Sequence, residues 1–270
     1  MSCPALIDTH CHLTSRGLVE QVAAVLGRAR EAGVQRAITV AVDERDALVA
    51  LGLLEQHPDL FLTAGLHPHE AGRWSAERWA KLTSLLRGDN LPAELRRRIV
   101  AIGETGLDYH YDFAPPLRQE EVFRRHLSLA AELGKPVVVH ARLAEQRVLE
   151  ILGEFPGLAG RVVFHCFSGD RDMARRVLDH GCHCSFAGVV TFKNATRLRA
   201  AAQYVPGDRL LIETDAPYLS PEPLRKIRPN EPALLVHTAR FLADLRGEDV
   251  AELAAASSAN AARFFDLPED

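Results

Sequence analysis

Leu6-Ile7-Asp8-Thr9-His10-Cys11-His12 is a short apolar run that ends in two histidines one residue apart. On a β-strand, side chains at i and i+2 share a face. The spacing therefore sends His10 and His12 towards one point at the C-terminal end of a strand, with Cys11 turned away. Two imidazoles held this way are half of a site for a divalent transition ion.

The rest of the chain repeats that arrangement. Apolar β-rich runs at 6–12, 37–42, 60–66, 99–104, 136–140, 162–165, 182–186 and 210–213 alternate with amphipathic helical stretches. The helices fall at 18–32, 44–56, 75–86, 116–133, 144–155, 171–180 and 195–204, and two more, 232–245 and 249–264, follow the last strand. Near-continuous apolar strands are those of a parallel sheet buried on both faces. Eight of them alternating with helices predict an α/β fold, a TIM (β/α)₈ barrel, as one domain over residues 1–270. A doubly wound open sheet finds no support, since the first strand runs into His10-Cys11-His12 instead of a Gly-rich turn.

The bulk numbers narrow the setting. The chain has 270 residues, 47% hydrophobic and 25% charged, the balance of an ordinary globular protein. A net charge of −4 gives no global attraction for nucleic acid, so a phosphate-binding surface must be local. No apolar run spans a membrane and no secretory leader is visible at the N-terminus, so the expectation is a cytoplasmic protein without a membrane partner. The odd set Cys3, Cys11, Cys166, Cys182 and Cys184 reads as reduced, mostly buried thiols. Cys182-His183-Cys184 lacks a second cysteine pair and reads as core, not as a zinc site.

The strand ends carry the chemistry. His10, His12, His67, Glu104, His140 and His165 close strands one, three, four, five and six, and Asp215 lies just past strand eight. In a barrel these positions face one mouth, where such folds place their active sites. Four histidines (His10, His12, His140, His165) and two carboxylates (Glu104, Asp215) exceed the needs of one catalytic ion and fit two divalent ions. Glu104 lies between the histidine sets and is the better bridge. Asp215 can bind one ion and take the proton of an activated water. The ion type stays open among Mg, Mn, Zn and Co.

Six ordered motifs carry a family resemblance: Asp8–Leu13, Gly65–His69, Gly103–Tyr109, His140-Ala141-Arg142, His165–Gly169 and Glu213–Leu219. Together they resemble the TatD-type deoxyribonucleases of the metal-dependent amidohydrolase superfamily, over 8–264. The resemblance implies a hydrolase of DNA phosphodiesters and a 3′ to 5′ exonuclease polarity. It implies that His10 and His12 bind the first metal, that Glu104 bridges, that His140 and His165 bind the second, and that Asp215 completes the first and serves as base. It also implies that His67 and Arg142 line the substrate site. Two positions depart from the family pattern. Leu143 stands where the family has Asp, removing an acid that could orient Arg142 or a ligand. In Arg228-Pro229-Asn230-Glu231-Pro232 a proline interrupts the family's R-N-x-P run, which bears on how Arg228 reaches the mouth as a substrate-binding residue.

Other features have simpler readings. Arg96-Arg97-Arg98 precedes the fourth strand and belongs at the opposite end. Arg225-Lys226-Ile227-Arg228 is a candidate phosphate rim. Trp74 and Trp79 read as helix packing before base stacking. Asp108 is a loop acid or one that supports the ligands, and Glu213 holds the turn after strand eight. Three functions follow. The first is a phosphodiesterase acting on single-stranded DNA ends, with no obligatory protein partner. The second is an amide or ester hydrolase, such as an aminoacyl-ester deacylase, because the same ligand set serves attack on carbon. The third is a metal-stabilised scaffold without catalysis, which a carboxylate-rich two-ion arrangement disfavours.

Overall fold

The computed structural model describes residues 5–268, so Cys3 lies outside the described residues. Eight parallel strands pair in sequence order: β1 (Leu6–Cys11), β2 (Val34–Ala41), β3 (Leu60–Ala64), β4 (Ile99–Asp108), β5 (Val137–Arg142), β6 (Val162–Phe164), β7 (His183–Phe186) and β8 (Leu210–Ile212). The ends meet through a bridge between Cys11 and Ala216, where His12 N donates to Ala216 O and Asp215 N donates to His10 O. The architecture is the expected TIM barrel.

Helices α1 (Val22–Ala32), α2 (Glu44–Gln56), α3 (Ala76–Arg87), α4 (Ala93–Arg98), α5 (Pro116–Leu133), α6 (Glu145–Leu152), α7 (Arg171–Asp179), α8 (Thr196–Tyr204), α9 (Leu235–Arg246) and α10 (Val250–Phe265) cover the sheet. α5 shows why these segments are helical. Pro116 opens its first turn, Gly134 closes it in a left-handed conformation, and Val122, Phe123, His126, Leu127 and Ala130 bury one stripe. Emptying the Phe123 site with alanine costs about 3–5 kcal/mol. No helix among the described residues is long and apolar enough to cross a membrane.

The strands bury two separate layers. Outside the sheet, the helices share one continuous core. Inside, Ile7, Ile38, Phe61, Val100, Val138, Val163 and Leu211, one from each of seven strands, pack with Phe265 at the end of α10 and Leu267 just past it. The lower lumen is thus an apolar plug, and the polar donors sit above it.

Two strands depart from regular register where they carry those donors. β1 slips against β2 between Asp8 and Cys11, so Cys11 joins the outer core while His10 serves the lumen. β4 slips against β5 between Ile102 and Thr105, on either side of Glu104. β4 also runs four residues past Glu104, so this carboxylate is mid-strand rather than terminal as expected. The reason is glycine. Gly103 and Gly106 have φ of 129° and 140°, and a Cβ at Gly106 would lie 2.1 Å from His140 O. Only residues without Cβ let β4 continue against β5 through that slip.

A second difference is α4. The stretch read as a solvated charge run forms a helix whose Arg98 is buried, donating to His57 O at 3.0 Å. It precedes β4 and so lies at the end opposite the mouth, as the sequence implied.

Candidate metal centre

Glu104 organises the mouth, and its two oxygens face different groups. Oε2 lies 3.4 Å from His10 Nε2 and 3.7 Å from His12 Nε2. Those two nitrogens are 3.3 Å apart. Asp215 Oδ1 completes the set, 3.8 Å from His10 Nε2 and 3.5 Å from His12 Nε2. Donors about 2.0–2.2 Å from a tetrahedral ion lie about 3.3–3.6 Å from one another. These four atoms therefore have the mutual spacing of ligands around a common centre. Glu104 Oε1 faces a second group: His140 Nδ1 at 2.7 Å, His165 Nε2 at 2.8 Å and His67 Nε2 at 3.2 Å. His140 Nδ1 and His165 Nε2 are 3.3 Å apart.

Carboxylates behind the second group fix which nitrogen faces in. His140 Nε2 lies 3.1 Å from Asp108 Oδ2, and His165 Nδ1 lies 3.3 Å from Glu213 Oε1. A ring that donates outward keeps its other nitrogen unprotonated for an ion. Glu213 also accepts from Cys166 N at 2.6 Å, so from the end of β8 it holds the turn after β6 rather than its own. The first group has no such backing at His10. Its Nδ1 is buried without a hydrogen-bond partner among the described residues, and its ring stacks on His165 at 3.9 Å.

The electrostatics follow from crowding. Burial alone would raise the Glu104 carboxyl, but the His165 and His67 imidazoles and hydrogen bonds with His10 and His140 hold it well below the usual range. Burial opposes protonation of His165, yet Glu104 and Glu213 raise it well above the ordinary value. Burial likewise opposes protonation of His12 and His140, and Asp215 and Asp108 respectively outweigh it. His10 is lowered, by burial and then by His165. Carboxylates thus draw positive charge into the cluster, a demand that a divalent ion held by these residues would satisfy in place of protons.

His67 behaves differently. Burial lowers it to about 4, against the pull of Glu104. Its Nδ1 accepts from His69 N at 3.2 Å, so the neutral ring carries its proton on Nε2 and presents a donor to the cluster. His67 thus offers the site a neutral N–H. Leu66, beside it, is held from below by His126, whose Nε2 accepts from Leu66 N at 3.0 Å while Nδ1 donates to Val122 O.

Arg142 is exposed and its guanidinium lies over the Tyr111 ring at 4.8 Å. Arg228 is exposed in the loop after β8, and among the described residues no hydrogen bond or ion pair ties it to the cluster. In the same rim Arg225 stacks on Phe192 at 4.0 Å. Buried Asn230 holds this loop by donating to Thr214 O and Tyr218 O. Trp74 packs beneath Arg125, and Trp79 sets its edge against His126, so both are helix packing. Leu143 is exposed with φ of 53°. His69 was not singled out from the sequence as a site residue. It lies 2.8 Å from Asp108 Oδ2, the oxygen that also holds His140. The signal was a second H-x-H, His67-Pro68-His69.

Comparison with known proteins agrees with this geometry. A family model described as TatD related DNase matches residues 7–266. The chain is 38% identical to the 3′-5′ ssDNA/RNA exonuclease TatD of Erwinia tasmaniensis, covering 97% of this chain and all of that protein. It is equally 38% identical to the metal-dependent hydrolase YcfH of Escherichia coli K12, over 97% of this chain and 96% of the relative. The crystal structure of YjjV, a TatD homologue of E. coli K12, superposes with a TM-score of 0.91 at 30% identity, covering 99% of this chain and all of that one. The chain belongs to the TatD family of metal-dependent hydrolases.

Proposed function

We propose that the protein is a two-metal nuclease that shortens single-stranded DNA from its 3′ end. The observation that carries this is the division of labour at Glu104, whose Oε2 faces His10 and His12 while its Oε1 faces His140 and His165. A carboxylate with each oxygen in a separate nest of nitrogens has the arrangement of a bridge between two ions. The donor set suits Zn, Mn, Co or Mg. Divalent ions held there would lower the pKa of water and offset charge on phosphate oxygens.

The chain's own groups do the rest. His10, His12 and Asp215 would hold one ion, and His140 and His165 would hold the other. Asp215 sits on a left-handed turn at φ of 54°, its side chain the most exposed of the ligands on its side, and accepts the proton of the attacking water. His67 donates its Nε2–H to a phosphate oxygen, and Arg142 and Arg228 supply charge at the rim. The mouth of a barrel admits a strand end more readily than a duplex. Relatives named as 3′-5′ ssDNA/RNA exonucleases support that preference and the polarity.

The test starts from metal-stripped protein given Mg²⁺, Mn²⁺, Co²⁺ or Zn²⁺ and a single-stranded oligonucleotide labelled at its 5′ end. A ladder shortening from the 3′ end, dependent on metal and lost in Glu104→Ala, is the expected result. A matched RNA and a panel of amides and esters run beside it. Turnover confined to the carbonyl substrates would replace this reading with the amidohydrolase one.

A further inference from the structure

Beside the cluster stands a group of aromatic rings that the proposed chemistry does not use. Phe113 is 63% exposed and Tyr111 is 42% exposed. Their ring centroids are 5.4 Å apart, and His69 lies 4.6 Å from Phe113 and 5.5 Å from Tyr111. The Arg142 guanidinium closes the group over Tyr111. Large aromatic faces left in water in one place mark a surface that meets a ligand.

The group is fixed rather than loose. Asp108 Oδ1 accepts from His110 N at 2.9 Å and from Tyr111 N at 3.1 Å, which pins the start of the loop. Asp108 Oδ2 holds His69, the ring on which Phe113 rests, and His140, whose Nδ1 faces Glu104. One carboxylate thus ties the aromatic group to the proposed ligands. The group begins one ring away from the centre, since His69 lies 4.3 Å from His67 and His67 lies 4.6 Å from His140, centroid to centroid. Phe113 and His69 also line an open cleft of about 620 Å³ with Glu70, Gly72, Arg73 and Pro115.

We propose that Phe113, Tyr111 and Arg142 form a stacking subsite, with Phe113 on the wall of this cleft, for the nucleobase of a nucleotide adjoining the scissile phosphate. This rests on the nuclease reading above and names how that site grips its strand. Every base offers a π-face, so such a subsite holds single strands without reading their sequence. The guanidinium adds attraction to both the base and its phosphate. A duplex keeps its bases stacked on one another and cannot offer one here. Preference for unpaired ends then has a local cause in this loop.

The experiment compares wild type, Phe113→Ala, Tyr111→Ala and Phe113→Trp on an unpaired oligonucleotide and on the same strand with an abasic residue at the last or the penultimate position. Each alanine variant is expected to raise KM about tenfold, with the effect on KM rather than kcat. Phe113→Trp is expected to restore the wild-type KM. One abasic position should cost wild type a similar factor but cost Phe113→Ala little, since the two changes remove the same contact. Unchanged KM in the alanine variants, or abasic and alanine penalties that multiply, would overturn the subsite while leaving the nuclease reading intact. Wild type that shortens no strand with any metal would overturn both. Unchanged thermal melting of the variants shows that the loop substitutions leave the barrel folded.

Discussion

The two sides of Glu104 are built by different means. On the side of β5 and β6, each imidazole has a carboxylate behind it: Asp108 at His140 and Glu213 at His165. On the side of β1, His10 has no such support, and its position comes from the backbone. Asp8 Oδ1 accepts from Thr214 N and from His10 N, Asp8 Oδ2 accepts from Thr214 Oγ1, and Asp215 N donates to His10 O. One half of the centre is aimed by side chains and the other by the seam that closes the barrel. Side-chain support sets tautomer and basicity as well as direction, whereas seam support sets direction alone. The difference assigns separate sensitivities to the halves, which substitution can separate.

The largest effect is expected where the halves meet. Glu104→Ala removes the carboxylate common to both, and hydrolysis should fall by about 10³-fold or more with the circular dichroism of the barrel retained. Turnover close to wild type would break the comparison, because neither half would then need its partner. Next come the supports. Asp108→Asn and Glu213→Gln keep shape but lose charge, and each should weaken metal binding by about 10–100-fold, read by titration of stripped protein. Loss confined to one of two binding steps sharpens the distinction, and equal loss at both removes it.

A smaller effect lies under β3. His126 is fully buried, and burial lowers it to about 4 although its hydrogen bond with Val122 opposes this. Its folded value lies below the unfolded one, so the unfolded chain takes up the proton first as pH falls. Stability from the neutral ring is complete above about 6.5 and is lost down to about 4, at most about 3 kcal/mol in all. His126→Gln should flatten thermal stability between those pH values. An unchanged pH slope in the variant would place the titration elsewhere. The smallest effect concerns Leu143, which adjoins Arg142. A left-handed φ disfavours leucine and tolerates asparagine, so Leu143→Asn should raise stability by about 1 kcal/mol, visible as a Tm a few degrees higher.

The centre was legible where residue type and strand period coincide. His10 and His12 differ by one strand period, and His140, His165 and Asp215 stand where apolar runs stop. Glu104 was legible as a donor but not as a mid-strand residue. The extension of β4 depends on positive φ at Gly103 and Gly106, and pattern alone cannot show whether a glycine ends a strand or bends it. α4 escaped because a six-residue helix spans too few turns to print a periodicity, and its buried Arg98 reads as surface. The supports were half visible. Asp108 and Glu213 stood out as acids near the motifs, but their partners lie 32 and 48 residues away and only the fold brings them together. His126 gave no sign, since a histidine in the middle of an amphipathic helix looks like any other intermediate residue.

The seam between β1 and β8 has a consequence in time. Asp8 and Thr214, which staple it, are 206 residues apart. The residues of β1 leave the ribosome about 200 residues before Thr214 and must wait for it before His10, His12 and Asp215 come together. A nascent or truncated chain that stops short of Thr214 carries half a set of donors and no closed wall behind them. Capture of an ion by His12 and Asp215, as proposed above, would therefore report that synthesis has passed this point and that the cylinder has shut. If the proposed ligands hold an ion, occupancy on that side would be a timestamp of completed folding as much as a condition for hydrolysis.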